Sequence, residues 1–132
     1  MAPTTDSRIA TPASSSRIAV VREQVRRRAQ RLGADQSLID QFVLVASELA
    51  TNVVMHTRHE QIEVTIDRDR DGWVIEVSGA TDLESAVCTE LPPPDSLGGR
   101  GLFIVNSLMD DVSVVDGAAG RSVRCVKRSG RA

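Results

Sequence analysis

The stretch "VASELATNVVMHT", residues 45–57, combines a helical apolar pattern with three polar side chains at four-residue steps. These are Glu48, Asn52 and His56, and their neighbours are residue types typical of a protein core. Since residues four apart lie almost above one another on a helix, a carboxylate, an amide and an imidazole share one stripe. The stripe indicates either the wet side of an amphipathic helix or a semi-buried site for oxygen ligation and proton transfer.

The bulk composition is that of an ordinary soluble domain. The chain has 132 residues, of which 41% are hydrophobic and 26% charged, as expected for one globular domain. Aromatic residues make up only 2%, so base stacking is poorly supported and no direct nucleic-acid partner is expected. No apolar run approaches the ~20 residues of a membrane span, and the start lacks the apolar stretch of a signal peptide. We therefore expect a cytoplasmic protein without membrane contact.

The charge is distributed unevenly along the chain. Residues 1–34 contain seven Arg and two acidic residues, which leaves 9 basic against 16 acidic residues in the remainder. Most of these arginines lie opposite an apolar helical face, and they are Arg22, Arg26, Arg27, Arg28 and Arg31. A solvated basic face is the common meaning of such a pattern, and a nucleic-acid-binding helix is the alternative.

Local signals divide the chain into a tail and one domain. Residues 1–15 are rich in Thr, Ser, Pro and Ala without periodicity, which predicts a flexible tail before a domain at 16–132. Apolar residues at steps of three and four then predict a helix that Gly33 ends. A second helix, capped by Asp35 or Ser37, contains the quoted stretch.

Two strand hairpins follow, in residues 61–79 and 112–128, where apolar and polar residues alternate around short turns. Between them lie residues 80–97, which show neither period, and then a glycine-rich turn that opens a third helix. This order predicts an α+β fold, a two-layer sandwich in which helices cover one face of a mostly antiparallel sheet of about four strands.

The glycine-rich turn is "GGRG", residues 98–101. Glycines at a helix start let the backbone approach a phosphate, which the free N–H groups and the helix dipole attract. Arg100 adds a charged fork. A plain tight turn is the alternative, and the absence of a following GK[ST] excludes a P-loop.

Together, the two motifs resemble those of a known superfamily. "ELATNVVMH" resembles the N box, and "GGRGLFIV" the second glycine box, of the GHKL ATPases, which include gyrase and the histidine kinases. Within that superfamily the likeness is greatest to the small anti-sigma factor serine kinases of bacterial partner switching, and it covers about residues 17–128. The resemblance implies a Bergerat-type ATP-binding fold with Mg²⁺ and ATP as cofactors. It also implies a sigma factor and a STAS-type anti-anti-sigma protein as partners, and a homodimer as the usual state.

Carried onto this chain, the resemblance assigns roles to the helical stripe. Glu48 would orient or deprotonate the attacking hydroxyl as the catalytic residue. Asn52 would coordinate the Mg²⁺ that bridges the ATP phosphates, and His56 would lie near the nucleotide.

The resemblance assigns further roles outside that helix. The residues implied to contact the phosphates are Gly99, Arg100, Gly101 and Leu102. Residues 84–98 would form a lid, and Ser122 in "GRSV" would support adenine recognition.

One part of the family pattern is missing. The first glycine box, DxGxG, would follow the strand "WVIEV", and alignment on that strand places Gly79 where the adenine-reading Asp is expected. Asp82 could substitute only if the loop shifted by three residues. We therefore predict weak ATP binding with little preference over GTP. The alternative to a kinase is a degenerate, nucleotide-independent protein that binds a sigma factor or another regulator.

Overall fold

The computed structural model describes residues 8–56, 61–70, 72–78, 99–117 and 120–128, which contain three α-helices and five strands. In chain order these elements are β1 (Arg8–Pro12), α1 (Ile18–Arg31), α2 (Gln36–His56), β2 (Gln61–Asp69), β3 (Gly72–Ser78), α3 (Gly99–Leu108), β4 (Asp111–Gly117) and β5 (Gly120–Arg128). A 3₁₀ turn, Ser15–Arg17, precedes α1.

The described strands form one sheet in the order β1-β2-β3-β5-β4, and each neighbouring pair is antiparallel. Fully buried side chains alternate along the strands, as Ile75 and Val77 do on β3 and Val123 and Cys125 on β5. They share one core with the buried residues of α1 and α2, so the helices cover that face of the sheet. The predicted two-layer α+β sandwich is confirmed.

The first strand corrects the predicted tail. Residues 1–15 were expected to be flexible, but Arg8–Pro12 form β1, which pairs antiparallel with β2. Ile9 and Thr11 are both buried. A five-residue strand whose partner lies far along the chain gives little local signal, and Pro12 is tolerated because it ends a strand at the sheet edge. The described sheet thus has one strand more than the four predicted.

The turn between α1 and α2 follows the predicted capping chemistry. Gly33 has a φ of +94°, a left-handed conformation that favours glycine, and its N–H donates to Gln30 O at 3.1 Å. Asp35 Oδ1 accepts a hydrogen bond from the Leu38 N–H at 2.9 Å. Both predicted helix ends are confirmed.

A cluster around Trp73 joins this turn to the sheet. Arg68 donates from Nη1 to Leu32 O at 3.1 Å, and its guanidinium carbon lies 5.1 Å from the centre of the Trp73 ring. Phe42 meets the same indole edge-on, with ring centroids 6.1 Å apart. Cation–π and aromatic contacts of this kind each contribute ~0.5–1.5 kcal/mol, so the cluster fixes the start of α2 against the β2–β3 hairpin.

The long helix α2 packs against the sheet through its predicted stripe. The fully buried members of that stripe are Phe42, Val45, Leu49 and Val53. By length and composition alone, Gln36–Met55 could cross a membrane, so the expectation that no apolar run approaches that length is corrected. Core helices of soluble proteins meet the same criterion, and 44% of this window is buried inside the fold.

The basic face of α1 lies partly in solvent. Arg22, Arg27 and Arg31 are exposed, as expected for a solvated face, whereas Arg26 and Arg28 are half-buried. Glu23 pairs with Arg27 at 3.0 Å and with Arg26 at 3.7 Å. Such exposed pairs contribute at most ~1 kcal/mol each, so they do not determine the fold.

Candidate functional site

The middle of α2 carries a buried amide that the described residues do not satisfy. Asn52 is only 4% exposed, and its Nδ2 has no hydrogen-bond partner among the described residues. Its chain neighbour Val53 and the preceding Leu49 are fully buried. A buried donor without an acceptor costs ~1–3 kcal/mol, and such a group in a native structure calls for an explanation such as a bound ligand. Asn52 is therefore where the energetics of the fold indicate a binding site.

Glu48 lies one helical turn before Asn52, about 6 Å along the axis of α2. Its side chain is half-buried, so the carboxylate lies at the boundary between core and surface. The intervening Thr51 hydroxyl donates to Ser47 O at 2.7 Å within the helix, which leaves Glu48 and Asn52 as the polar pair of this segment. His56 is the last residue of α2, and its side chain is outside the described part of the chain.

The predicted phosphate-binding turn is the first turn of α3. The helix begins at Gly99, and the four residues assigned to the phosphates are its first four, Gly99, Arg100, Gly101 and Leu102. The first four N–H groups of an α-helix have no acceptor within the helix, and the helix dipole is positive at this end. The backbone of this turn is therefore suited to an anion, and only the backbone of these four residues is described.

The end of α3 lies near the N-terminal half of α2. Lys127 Nζ donates to Leu108 O, the last residue of α3, at 2.8 Å. Lys127 also lines a cavity together with Gln41, in the N-terminal half of α2. The two helices are in contact with each other.

Ser122 is not brought to this site. It lies on β5 opposite Ser78 of β3 and is 8% exposed. The next residue, Val123, pairs with Val77 and faces the helices, so strand alternation places Ser122 on the other face of the sheet from Asn52. Alignment on "GRSV" predicts that residue 122 lies on a strand, but not which face of the sheet its side chain occupies. A shift of one residue in strand register moves the side chain to the other face.

Several expected features lie outside the described residues. These are the lid at residues 84–98 and the departure from the first glycine box at Gly79, with Asp82 as its substitute. The expectations about them remain predictions.

Cys125 contributes to the core rather than to a reactive site. Burial, with a smaller effect of the Glu76 charge, raises the pKa of the Cys125 thiol from 9.0 to about 12. At neutral pH the thiol is therefore protonated, and the thiolate needed for nucleophilic attack is not formed.

The contact between Lys127 and the end of α3 was not predicted from the sequence. The alternation of "RCVKR" places Lys127 opposite Trp73, on the face covered by the helices. The sequence did contain a signal, because a charged residue at a strand position that faces the core needs a partner. The partner of Lys127 is the last carbonyl of α3.

Known proteins resemble this chain over most of its length. The model of the histidine kinase-like ATPase domain family matches residues 11–127. Serine-protein kinase RsbW of Halalkalibacterium halodurans is 31% identical over 115 residues, covering 78% of this chain and 71% of the relative. The proteins of the same name from Bacillus mycoides and Bacillus cereus are 26% and 27% identical over 117 residues, 79% of this chain and 73% of each relative.

Proposed function

The chain belongs to the histidine kinase-like ATPase domain family, and from that membership we propose an anti-sigma factor with serine/threonine-protein kinase activity. It would alternate between a sigma factor and a STAS-type anti-anti-sigma protein, and ATP-dependent phosphorylation of the latter would control the exchange. The observation that carries the proposal is the buried amide of Asn52, whose Nδ2 has no hydrogen-bond partner among the described residues.

The described residues are suited to bind the phosphates of ATP. The Asn52 amide offers an oxygen of the kind Mg²⁺ prefers, and its unpaired Nδ2 can donate to a phosphate oxygen. Backbone N–H groups in the first turn of α3 add uncharged donors. When bound, Mg²⁺ neutralises the negative charge that accumulates on the phosphates during transfer.

Glu48 is suited to prepare the hydroxyl of the protein substrate. In the proposed reaction the Ser or Thr oxygen attacks the γ-phosphorus, and the bond to the bridging oxygen of ADP breaks. Glu48 accepts the hydroxyl proton, and ADP leaves. Its half-buried position lets it contact an incoming segment while remaining one turn from Asn52. The phosphate adds about two negative charges to the partner, which weakens its complex with this protein and frees the protein to bind the sigma factor.

Calorimetry with Mg·ATP tests the proposal directly. The parent protein should bind, Asn52→Ala should not, and Thr51→Ala should bind like the parent because the Thr51 hydroxyl is bonded within the helix. Binding that is equal in the parent and Asn52→Ala would reject the site.

Gly79 favours a second candidate, a protein that keeps the fold and binds its partner without nucleotide. In that case the parent would show no heat of binding with Mg·ATP. Its affinity for the sigma factor would be the same with and without ATP, and the same again in Asn52→Ala.

A further inference from the structure

A cavity of about 220 Å³ lies beside the start of α2, where Lys127 of its lining also bonds the end of α3. Its lining includes Asp35, Leu38, Gln41, Trp73, Lys127 and Arg128. Sites for drug-sized ligands occupy about 300–1,000 Å³, so this cavity suits a smaller molecule. It contacts the first turns of α2, whereas Asn52 lies roughly 15 Å further along that helix.

One side of the cavity is cationic. Lys127 uses one of its three ammonium donors on Leu108 O at 2.8 Å. Arg128 pairs through Nη2 with Asp111, and a guanidinium has five donors in all. Both side chains therefore keep donors for a carboxylate.

The lining also offers acceptors. Gln41 Oε1 is buried, and no atom in the described ranges donates a hydrogen bond to it. Asp35 Oδ1 accepts from the Leu38 N–H at 2.9 Å, and the second carboxylate oxygen is available as well. An ammonium group, with three donors, matches this pair of acceptors.

Apolar surface completes the lining. Leu38 is half-buried, and Trp73 is 7% exposed and held in place by Phe42 and Arg68. A short aliphatic group in the cavity would contact these two residues. We propose that the cavity binds a free amino acid with a small aliphatic side chain: its carboxylate contacts Lys127 and Arg128, and its ammonium contacts Gln41 and Asp35.

Fluorescence of the full chain tests this directly, because Trp73 is its single tryptophan and lines the cavity. L-alanine, L-valine and L-leucine are the probes. At least one should change the Trp73 emission saturably at concentrations up to about 10 mM. Isovalerate and isobutylamine, which are valine without its amino or its carboxyl group, should each bind at least about tenfold more weakly.

Substitutions in the lining test whether the amino acid binds in this cavity. Gln41→Leu keeps the side-chain size and should weaken binding of the same amino acid at least about tenfold, because it removes the acceptor for the ammonium. Lys127→Met should do the same through the carboxylate, with thermal denaturation confirming that each variant is folded. Gln61→Leu, an exposed change on β2, serves as the matched control and should leave the titration unchanged.

Three results would overturn the proposal: no saturable change with any of the three amino acids, equal binding of isovalerate and valine, or unchanged binding in Gln41→Leu. None of these measurements involves nucleotide, so the cavity and the proposed kinase function stand or fail separately.

Discussion

Replacing Asn52 by alanine tests whether its amide binds a ligand or stabilises the fold. In the absence of nucleotide, the parent bears the cost of a buried Nδ2 for which the described residues supply no acceptor, ~1–3 kcal/mol. Asn52→Ala removes that cost and also removes some packing, and because these effects oppose each other we expect a stability within about 1 kcal/mol of the parent. The matched control is Leu49→Ala on the same helix, where a fully buried side chain is truncated at a cost of ~2–5 kcal/mol.

Nucleotide should stabilise one of the two variants and not the other. A ligand at ten times its dissociation constant stabilises the folded state by about 1.4 kcal/mol, or several degrees in the melting temperature. The parent and Leu49→Ala should both gain this increment with Mg·ATP, because their binding residues are intact. Asn52→Ala should gain nothing.

Thermal denaturation followed by circular dichroism, with and without Mg·ATP, measures this increment for the parent, Asn52→Ala and Leu49→Ala in one assay. An Asn52→Ala protein as unstable as Leu49→Ala that still gained the ATP increment would show that the amide is structural. That result would refute both the assignment of the unpaired Nδ2 to a ligand and the site built on it.

Three further outcomes are expected. Glu48→Gln should retain Mg·ATP binding but transfer phosphate to the STAS-type partner at least about 100-fold more slowly in a γ-labelled ATP assay, and equal rates would remove Glu48 from the reaction. Gly79→Asp should strengthen ATP over GTP by roughly 10- to 150-fold in competition calorimetry, the effect of one hydrogen bond to a charged acceptor; an unchanged ratio would reject position 79 as the adenine reader. Because the folded-state pKa of Cys125 is raised to about 12, only the unfolded chain loses that proton just above pH 9. Stability should therefore fall as pH rises from 9 towards 12, by at most about 1.4 kcal/mol per unit, and urea unfolding of Cys125→Ala should lack that decline.

Much of the fold was predictable because its signals are local. The helical period identified the buried stripe of α2, and Gly33 and Asp35 indicated the helix ends through their own backbone and side-chain chemistry. The strand Arg8–Pro12 was missed because its stability comes from pairing with β2, which the local sequence does not reveal. A pattern of five residues with a terminal proline is also typical of an irregular tail.

The site was predictable where spacing alone determines geometry. Glu48 and Asn52 had to share one side of a helix, whereas the burial of the Asn52 amide depends on how α2 packs in the folded chain. The same holds for Lys127, whose acceptor is the last carbonyl of a helix nineteen residues earlier. For Ser122 the motif predicted a strand position, whereas the face it occupies depends on strand register; its role in adenine recognition stays a prediction.

In the proposed site, Asn52 serves the phosphates of a nucleotide and position 79 serves its base. This difference separates the two proposed functions. Phosphates are recognised by charge, helix N–H groups and a metal ligand, whereas the base is recognised by a few directed hydrogen bonds. In the proposed site, loss of the carboxylate at position 79 would therefore remove discrimination between ATP and GTP without removing attraction for the phosphates. A protein that needs no nucleotide would gain nothing from an unpaired amide that costs ~1–3 kcal/mol of a total stability of about 5–15 kcal/mol. Similar, Asn52-dependent binding of both nucleotides thus supports the kinase, because it shows that the phosphate half of the site is in use.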